Sequence, residues 1–350
     1  MDNRLSELTF WLENKLSLTI NSLTPASADA SFRRYFRLIS NTHEYDNTNS
    51  LIVMDAPPNK EPLQQFISVA KMLEKNGVHT PKIHAINQTQ GFLLLEDLGN
   101  RTYLDELKNN TDELYIEAID ALLQIQNISK DALATKPDPL TESKNLSLKN
   151  NTLQYSDQLI TQELDLFTQW YCARHQAFTW TDSQEMIWQE FKTNITKTFK
   201  QQPETWVHRD YHSRNLMITK KNSPGVIDFQ DMVWGPISYD LASIFKDCYI
   251  EWPRSRQLKW LEVYLYRRSK LKPTVEIEYA DLIKWFDITG LQRHLKVLGI
   301  FCRLNYRDNK PQYLDDLPLV VKYIDETLSI YPELKSFREI FNQISKAKYD

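Results

Sequence analysis

His208-Arg-Asp-Tyr-His-Ser-Arg-Asn-Leu-Met-Ile218, followed by Gly225-Val-Ile-Asp-Phe229, is the stretch that decides how this 350-residue chain reads. Asp210 and Asn215 have four residues between them, then apolar residues run to Ile218. The turn Asn222-Ser-Pro-Gly225 separates them from a second apolar run ending at Asp228, so a hairpin is expected. An Asp in a loop, followed at that spacing by an Asn, can point both side chains into one cleft. Asp228 on the adjacent arm could share a metal with Asn215. Phosphoryl transfer needs this chemistry: a carboxylate near the attacking hydroxyl and oxygen ligands for Mg²⁺ on the phosphates. Mg²⁺ takes oxygen donors and keeps several waters, so one Asn and one Asp can suffice. Asp-x-x-x-x-Asn alone is weak, whereas the whole series through Asp-Phe is far more specific.

N-terminal to this segment, Leu5, Leu8, Trp11, Leu12 and Leu16 recur at helical spacing. Phe32–Leu38 and Leu51–Met54 read as short strands, and Pro62 through Gly77 as a helix with start and stop signals. Pro81–Ala85 and Gly91–Leu95 read as two more strands, and Gly99 as a hinge. Beyond about residue 100 the pattern is helical: 111–125, 153–175, 184–201, and most of 238–350. The Lys-, Asp-, Pro- and Asn-rich stretch 130–151 reads as a surface loop. Short extended pieces are expected at Trp206–His208, Asn215–Ile218 and Val226–Phe229. The domain division expected is 1–96, a hinge at 97–100, and 101–350.

Composition narrows the class. The chain is 41% hydrophobic and 25% charged, as globular proteins are, and its formal net charge of −4 gives no global reason to expect nucleic acid or an anionic membrane. Three scattered cysteines without C-x-x-C spacing argue against a disulfide framework or a structural zinc site. The polar N-terminus and the lack of a long apolar run lead us to expect a soluble, cytoplasmic protein with no membrane segment. Nothing in the sequence calls for an obligatory protein partner.

The central segment resembles the aminoglycoside phosphotransferase-like (APH-like) branch of the protein-kinase superfamily, with His212-Ser-Arg-Asn215 arranged as in that branch's H-x-D-x-H-x-x-N loop. More closely, the chain is similar to bacterial cell-wall-recycling sugar kinases that phosphorylate N-acetylmuramate and N-acetylglucosamine at the anomeric hydroxyl. The similar stretches are Ala28–Arg37, Val53–Pro58, Phe92–Gly99, residues 208–240, and Arg293 through Asp315, spread over nearly the whole chain. The resemblance implies an α+β, protein-kinase-like two-lobed fold: a small β-rich nucleotide-binding lobe, a hinge, and a large helical catalytic and substrate-binding lobe. It implies Asp210 as catalytic base, Asn215 and Asp228 as Mg²⁺ ligands, and residues 96–99 as the adenine-binding hinge, with Glu96 and Leu98 acting through backbone groups. ATP is then the co-substrate and a small amino sugar the partner.

Two departures from the protein-kinase pattern stand out. The first of only seven glycines is Gly77, so no G-x-G-x-x-G loop can cover the phosphates. Ala28-Asp-Ala-Ser31 would do this with small residues and backbone N–H groups, which makes Ala30, Ser31 and Phe32 candidate ATP contacts. The strand expected to carry the phosphate-binding lysine reads Ile52-Val-Met-Asp55 instead, and we expect Arg33, Arg34 or Arg37 to supply that charge. Strand alternation sets Arg33 and Arg37 opposite to Arg34.

For the acceptor, the candidates are His212, Arg214, Asp231 and Arg303. His212 is read as a proton shuttle or a loop-fixing group, Asp231 as a metal or substrate contact or a loop cap. Gln292, Lys296, Gly299, Arg303 and Tyr306 form a polar face on one helix, read either as solvated or as a sugar-binding wall in which Arg303 or Arg307 takes a substrate carboxylate. Arg209 is read as an ion-pair or loop-organising residue, Asp240 as a cap or loop anchor, and the aromatic helices of 165–200 as core. The alternatives are a kinase for another small hydroxyl compound (an aminoglycoside or a choline-like alcohol), a nucleotide-binding pseudokinase, and a zinc hydrolase built on His208-x-Asp-x-His212.

Overall fold

The computed structural model describes residues 2–27, 32–41, 45, 49–107, 110–133 and 153–346. Its contacts fall into two compact units, one of residues 1–103 with 216–231, the other of 104–215 with 232–350. The sequence division at 96 and 100 differs from this partition, in which 97–103 and the hairpin 216–231 go with the N-terminal unit. Specific contacts explain the hairpin's place there. Thr102 bridges to Met217, the Val226 amide donates to the His79 carbonyl at 2.7 Å, and Phe66 packs on Phe229 with ring centroids 4.9 Å apart.

The first unit is a five-stranded antiparallel sheet with strands β1 (Ser22–Ser27), β2 (Arg34–Ile39), β3 (Ser50–Asp55), β4 (Ile83–Asn87) and β5 (Phe92–Glu96) in the order β1-β2-β3-β5-β4. Helix α1 (Asn3–Asn14), capped by the Asp2 carboxylate, lays Leu8, Trp11 and Leu12 on Phe36, Leu38, Leu51, Val53, Phe92 and Leu94. Helix α2 (Leu63–Lys75) buries Phe66, Ile67, Ala70 and Leu73. Strand β1 was not expected, because Pro25 reads as a break. It lies at the sheet edge, where a residue without an N–H is tolerated, and its register shifts between Pro25 and Ser27. Residues 28–31, the expected phosphate loop, lie outside the described residues.

The second unit is mainly helical. The expected helix over 153–175 is instead an α-helix, Asp157–Leu166, continuing as a π-helix, Phe167–His175. The long helix Tyr279–Asp308 passes it so closely at Gly299 that a Cβ there would stand 2.3 Å from the Leu166 carbonyl carbon. That close approach is why this position is glycine. The helix Asp182–Lys200 starts two residues earlier than expected, on a Thr181/Gln184 capping box. Phe167, Tyr171, Trp188, Phe191 and Phe199 belong to the core, with Phe191 stacked on Phe337 at 4.0 Å, so the aromatic helices are packing elements as expected. A two-stranded ladder, Glu204–Val207 with Val233–Pro236, leads into the central loop. The surface loop expected at 130–151 lies outside the described residues from 134 onward.

Candidate functional site

In the second unit the residues from His208 to Asn215 form a loop whose shape is fixed at both ends. The backbone N–H groups of His208 and Arg209 donate to the Asp240 carboxylate at 2.7 and 3.0 Å. Asp240 sits on the buried helix Tyr239–Phe245 and is the loop anchor its position suggested. Burial pushes its carboxyl up to about 6. At the other end Asp247 accepts from the Ser213 backbone N–H at 2.9 Å and from its hydroxyl at 2.5 Å. Within the loop the Asn215 Nδ2 donates to the Asp210 carbonyl at 3.0 Å, which makes Oδ1 the oxygen donor of that amide.

Arg209 has φ of +76°, a left-handed conformation that a side-chain-bearing residue enters only when its surroundings impose it. Its guanidinium donates to Glu163 Oε1 at 2.7 Å. The same oxygen takes the Lys296 ammonium at 3.0 Å, and Oε2 accepts from Gln292 Nε2 at 2.9 Å and from the Tyr155 hydroxyl. Four donors thus meet the roughly four lone-pair sites of one carboxylate. Burial alone would push Glu163 up, yet Lys296 and Arg209, helped by Tyr155 and Gln292, hold it at about 2. Asp210 follows the same pattern: burial opposes ionisation, and Lys296, with Arg293 and Arg209, brings it to about 2. Asp210 is therefore an anion throughout the neutral range.

Among the acceptor candidates, His212 is kept neutral by burial, which lowers it to about 4. Its ring stands edge-on to Tyr249 at 5.4 Å, and its Nδ1 is buried without a partner. Arg214 is exposed and lies 3.5 Å above the Tyr249 ring centroid. Arg303 is half-buried with an unpartnered Nε, whereas the Arg307 fork is taken by Asp308 at 2.8 and 2.9 Å. Gln292 and Lys296 are buried and not solvated, and the group they serve is Glu163. The three-residue His/Asp arrangement that a zinc hydrolase would need is not assembled among the described residues.

In the first unit Asp228 has φ of +63°, and its Oδ1 accepts from Gln230 Nε2 at 2.8 Å. The Gln230 carbonyl in turn accepts from Gln65 on α2 at 2.8 Å. Asp231 is exposed. Leu98 closes over Gly225, where a Cβ would come within 2.6 Å of its Cδ1. Glu96, at the end of β5, accepts from the Lys82 N–H at 3.3 Å. Arg34 lies directly across from Asp55 on β3 and pairs with it at 2.5 Å, with Asp2 and Arg4 completing the cluster. Arg37 grips Asp97 at 2.7 and 3.0 Å. Arg33 pairs with Glu61 at 2.9 Å just before α2, and Phe32 is exposed under the Lys60 ammonium at 4.1 Å. Ala30 and Ser31 lie outside the described residues.

Glu163 and Tyr155 were absent from the sequence reading. A signal existed: Glu163 falls beside Leu164 and three residues after Ile160, so it interrupts an apolar helical stripe with a charge.

The profile of the phosphotransferase enzyme family (APH) matches residues 22–275. The chain belongs to that family, and its fold is the α+β, protein-kinase-like one. Among curated relatives, the N-acetylmuramate/N-acetylglucosamine kinase of Pseudomonas putida is 40% identical, over 98% of this chain and 97% of that protein. The protein of the same name from Pseudomonas aeruginosa is 37% identical over 97% and 96%. Among solved structures, the ADP-bound aminoglycoside phosphotransferase APH(2'')-Ib superposes with a TM-score of 0.58 at 16% identity, over 93% of this chain and 99% of that one. No helix among the described residues is long and apolar enough to cross a membrane.

The Glu163 environment sets an acid response. Its folded-state carboxyl is depressed, so its contribution to stability is complete above its unfolded value near pH 4.5 and is lost as pH falls toward 2. A depression of that size corresponds to about 3 kcal/mol. Glu163→Gln should therefore be less stable than wild type by about this amount at pH 7, and the gap should narrow below pH 4.5. Urea unfolding at pH 7 and pH 3.5 measures it; a gap independent of pH would show that the carboxylate charge carries none of it.

Proposed function

We propose that the protein transfers the γ-phosphoryl group of ATP to the anomeric hydroxyl of N-acetylmuramate and N-acetylglucosamine, giving the sugar 1-phosphate and ADP in cell-wall recycling. The observation that carries this reading is the near-full-length likeness to relatives bearing that name. Asp210 accepts a hydrogen bond from the anomeric hydroxyl, orients its oxygen toward the γ-phosphorus, and takes the proton as the new P–O bond forms and the bond to ADP breaks. Asn215 and Asp228 are the residues assigned to Mg²⁺; one amide oxygen and one carboxylate form a donor set that fits this ion. When bound, Mg²⁺ supplies charge neutralisation on the phosphates.

For the phosphates we assign Arg33 in place of the missing lysine; like Arg34 and Arg37 it is ion-paired, and its place beside α2 is what favours it. Glu61 holds Arg33 at the start of α2, the helix whose Gln65 and Phe66 tie down the Asp228 loop. Ala30, Ser31, Phe32, Glu96 and Leu98 remain assigned to the nucleotide, and His212, Arg214 and Asp231 to the acceptor. Arg303, with an unpartnered Nε, is assigned to the lactyl carboxylate that N-acetylmuramate has and N-acetylglucosamine lacks.

ATP consumption with Mg²⁺ should appear with the two N-acetyl sugars and not with glucose, choline or kanamycin, and Asp210→Asn should lower kcat by about 10²- to 10⁴-fold. Turnover confined to choline or kanamycin would move the substrate class; ATP binding without turnover on any acceptor would indicate a pseudokinase. Arg303→Ala should raise KM for N-acetylmuramate roughly tenfold or more, the loss of a charge-assisted hydrogen bond, and leave N-acetylglucosamine unchanged. Equal effects on both sugars would remove the carboxylate assignment. Arg33→Ala should raise KM for ATP by a comparable factor while KM for sugar holds; an unchanged ATP KM and kcat would rule Arg33 out.

A further inference from the structure

Glu163 lies 46 residues before Arg209 on a helix that no phosphotransfer motif includes, yet among the described residues its carboxylate is the one hydrogen-bond acceptor of the Arg209 side chain, whose Nε is buried without a partner. The arrangement draws on three helices. The helix Tyr239–Phe245 supplies Asp240, which takes the Arg209 backbone N–H at 3.0 Å. The helix Asp157–Leu166 supplies Glu163, which takes the side chain at 2.7 Å. The helix Tyr279–Asp308 supplies Gln292 and Lys296, which hold Glu163 from its far side at 2.9 and 3.0 Å. Lys296 also reaches the Tyr239 hydroxyl at 3.1 Å, next to Asp240, which closes the network on itself.

Packing alone does not require such a network. Buried ionic groups can often be replaced by apolar ones of similar volume without loss of stability. What this one does beyond packing is hold a residue in a left-handed turn from both its backbone and its side chain. A left-handed arginine stays put only when over-determined in this way. Asp210 is the next residue, so the direction in which its Cα–Cβ bond leaves the backbone follows from the turn.

We infer that Glu163 is a positioning residue for phosphoryl transfer: saturated by Tyr155, Gln292 and Lys296, its carboxylate holds Arg209 and so fixes the backbone turn from which Asp210 projects. The inference rests on the assignment of Asp210 as the catalytic carboxylate. Glu163 touches neither nucleotide nor acceptor and acts through Arg209. The loop is accordingly set by permanent groups of the chain, with no added charge needed to order it.

A double-mutant cycle on Glu163→Gln and Arg209→Gln tests this, with kcat and both KM values measured at 25 °C on proteins shown to be folded by circular dichroism. A misdirected catalytic group costs on the order of 10²-fold. Each single variant should lose roughly 10- to 100-fold in kcat, with KM for ATP and sugar held within about threefold. The double variant should lose no more than the worse single, because both changes break one connection. Losses that multiply in the double variant, or a fall expressed in KM, would overturn the inference, as would a Glu163→Gln enzyme of near wild-type kcat. If Glu163→Gln does not fold, Glu163→Asp and Arg209→Lys give the same cycle with both charges kept, and independent losses there would overturn it equally. Asp210→Asn run alongside separates the two levels: if that variant keeps wild-type kcat, the assignment of Asp210 fails, whereas an inactive Asp210→Asn with an additive cycle removes Glu163 alone.

Discussion

Every charged group around Asp210 has been taken largely out of water, and that desolvation has to be offset locally. An ion moved from water into the protein interior loses several kcal/mol of solvation even after relaxation. Glu163, Asp210 and Asp240 would each be pushed toward the neutral acid by burial alone. Glu163 and Asp210 stay well below their usual range because Lys296 and Arg209 lie among them. The cations gain as well: burial would lower Lys296, and Glu163 more than reverses this. The charges of the network are matched as a set, while Arg209 Nε and Gln292 Oε1 are buried without a partner. Removing one carboxylate leaves two buried cations facing each other, which is why the helices 157–166, 239–245 and 279–308 are bound to one another through the central loop.

The N-terminal unit obeys the same rule with different members. Where the sequence led us to look for a lone phosphate-binding cation, the structure has arginines matched to acids: Arg34 to Asp55, Arg37 to Asp97, Arg33 to Glu61. The Arg34–Asp55 pair is a cross-strand neighbour pair in the β2–β3 register, and Asp55 is fully buried with Arg4 on its other oxygen. Asp55 occupies the strand where a lysine was sought, and its neutralising charge comes from the opposite strand and from α1. Such an acid needs its two arginines for its own burial. That gives Arg34 a structural task and leaves Arg33, which precedes β2 and pairs with Glu61, as the proposed phosphate contact.

The central loop and its hairpin were legible because the residue types carry both chemistry and turn signals: Asn222 through Gly225 marks the reversal, and Asp210 and Asn215 fall in the loop before it. Of the partners that set the loop, Asp240 was legible as an anchor, whereas the group around Glu163 was not. Glu163 and Lys296 are ordinary charged residues on long helices, and only the packing of those helices gives them their role. Lys296 and Gln292 were placed on one face, correctly, but periodicity cannot say whether a polar face meets water or a buried carboxylate. Strand β1 was missed because Pro25 reads as a break unless one knows the strand is an edge. The strand Val233–Pro236 was missed, as Gly and Pro are both poor strand formers and two of its four residues are Gly235 and Pro236. In the structure Gly235 is there for proximity, since a Cβ on it would come within 2.6 Å of the Tyr155 Cβ. That contact seats the tyrosine that completes Glu163.

A carboxylate held at about 2 is a weak base, and this constrains what Asp210 can be asked to do. Proton transfer from an ordinary alcohol to such a group is steeply uphill until the oxygen has largely bonded to phosphorus. An anomeric hydroxyl is more acidic than other sugar hydroxyls, so the mismatch it presents to Asp210 is smaller. In a loose, largely dissociative transfer little proton movement is needed before the transition state, and in the proposed role the anion serves first to aim the oxygen. The cations that weaken Asp210 as a base are the same ones that keep it ionised and fixed in direction. The design therefore trades basicity for orientation, a trade best suited to an acceptor that gives up its proton readily, as the proposed sugar hydroxyl does.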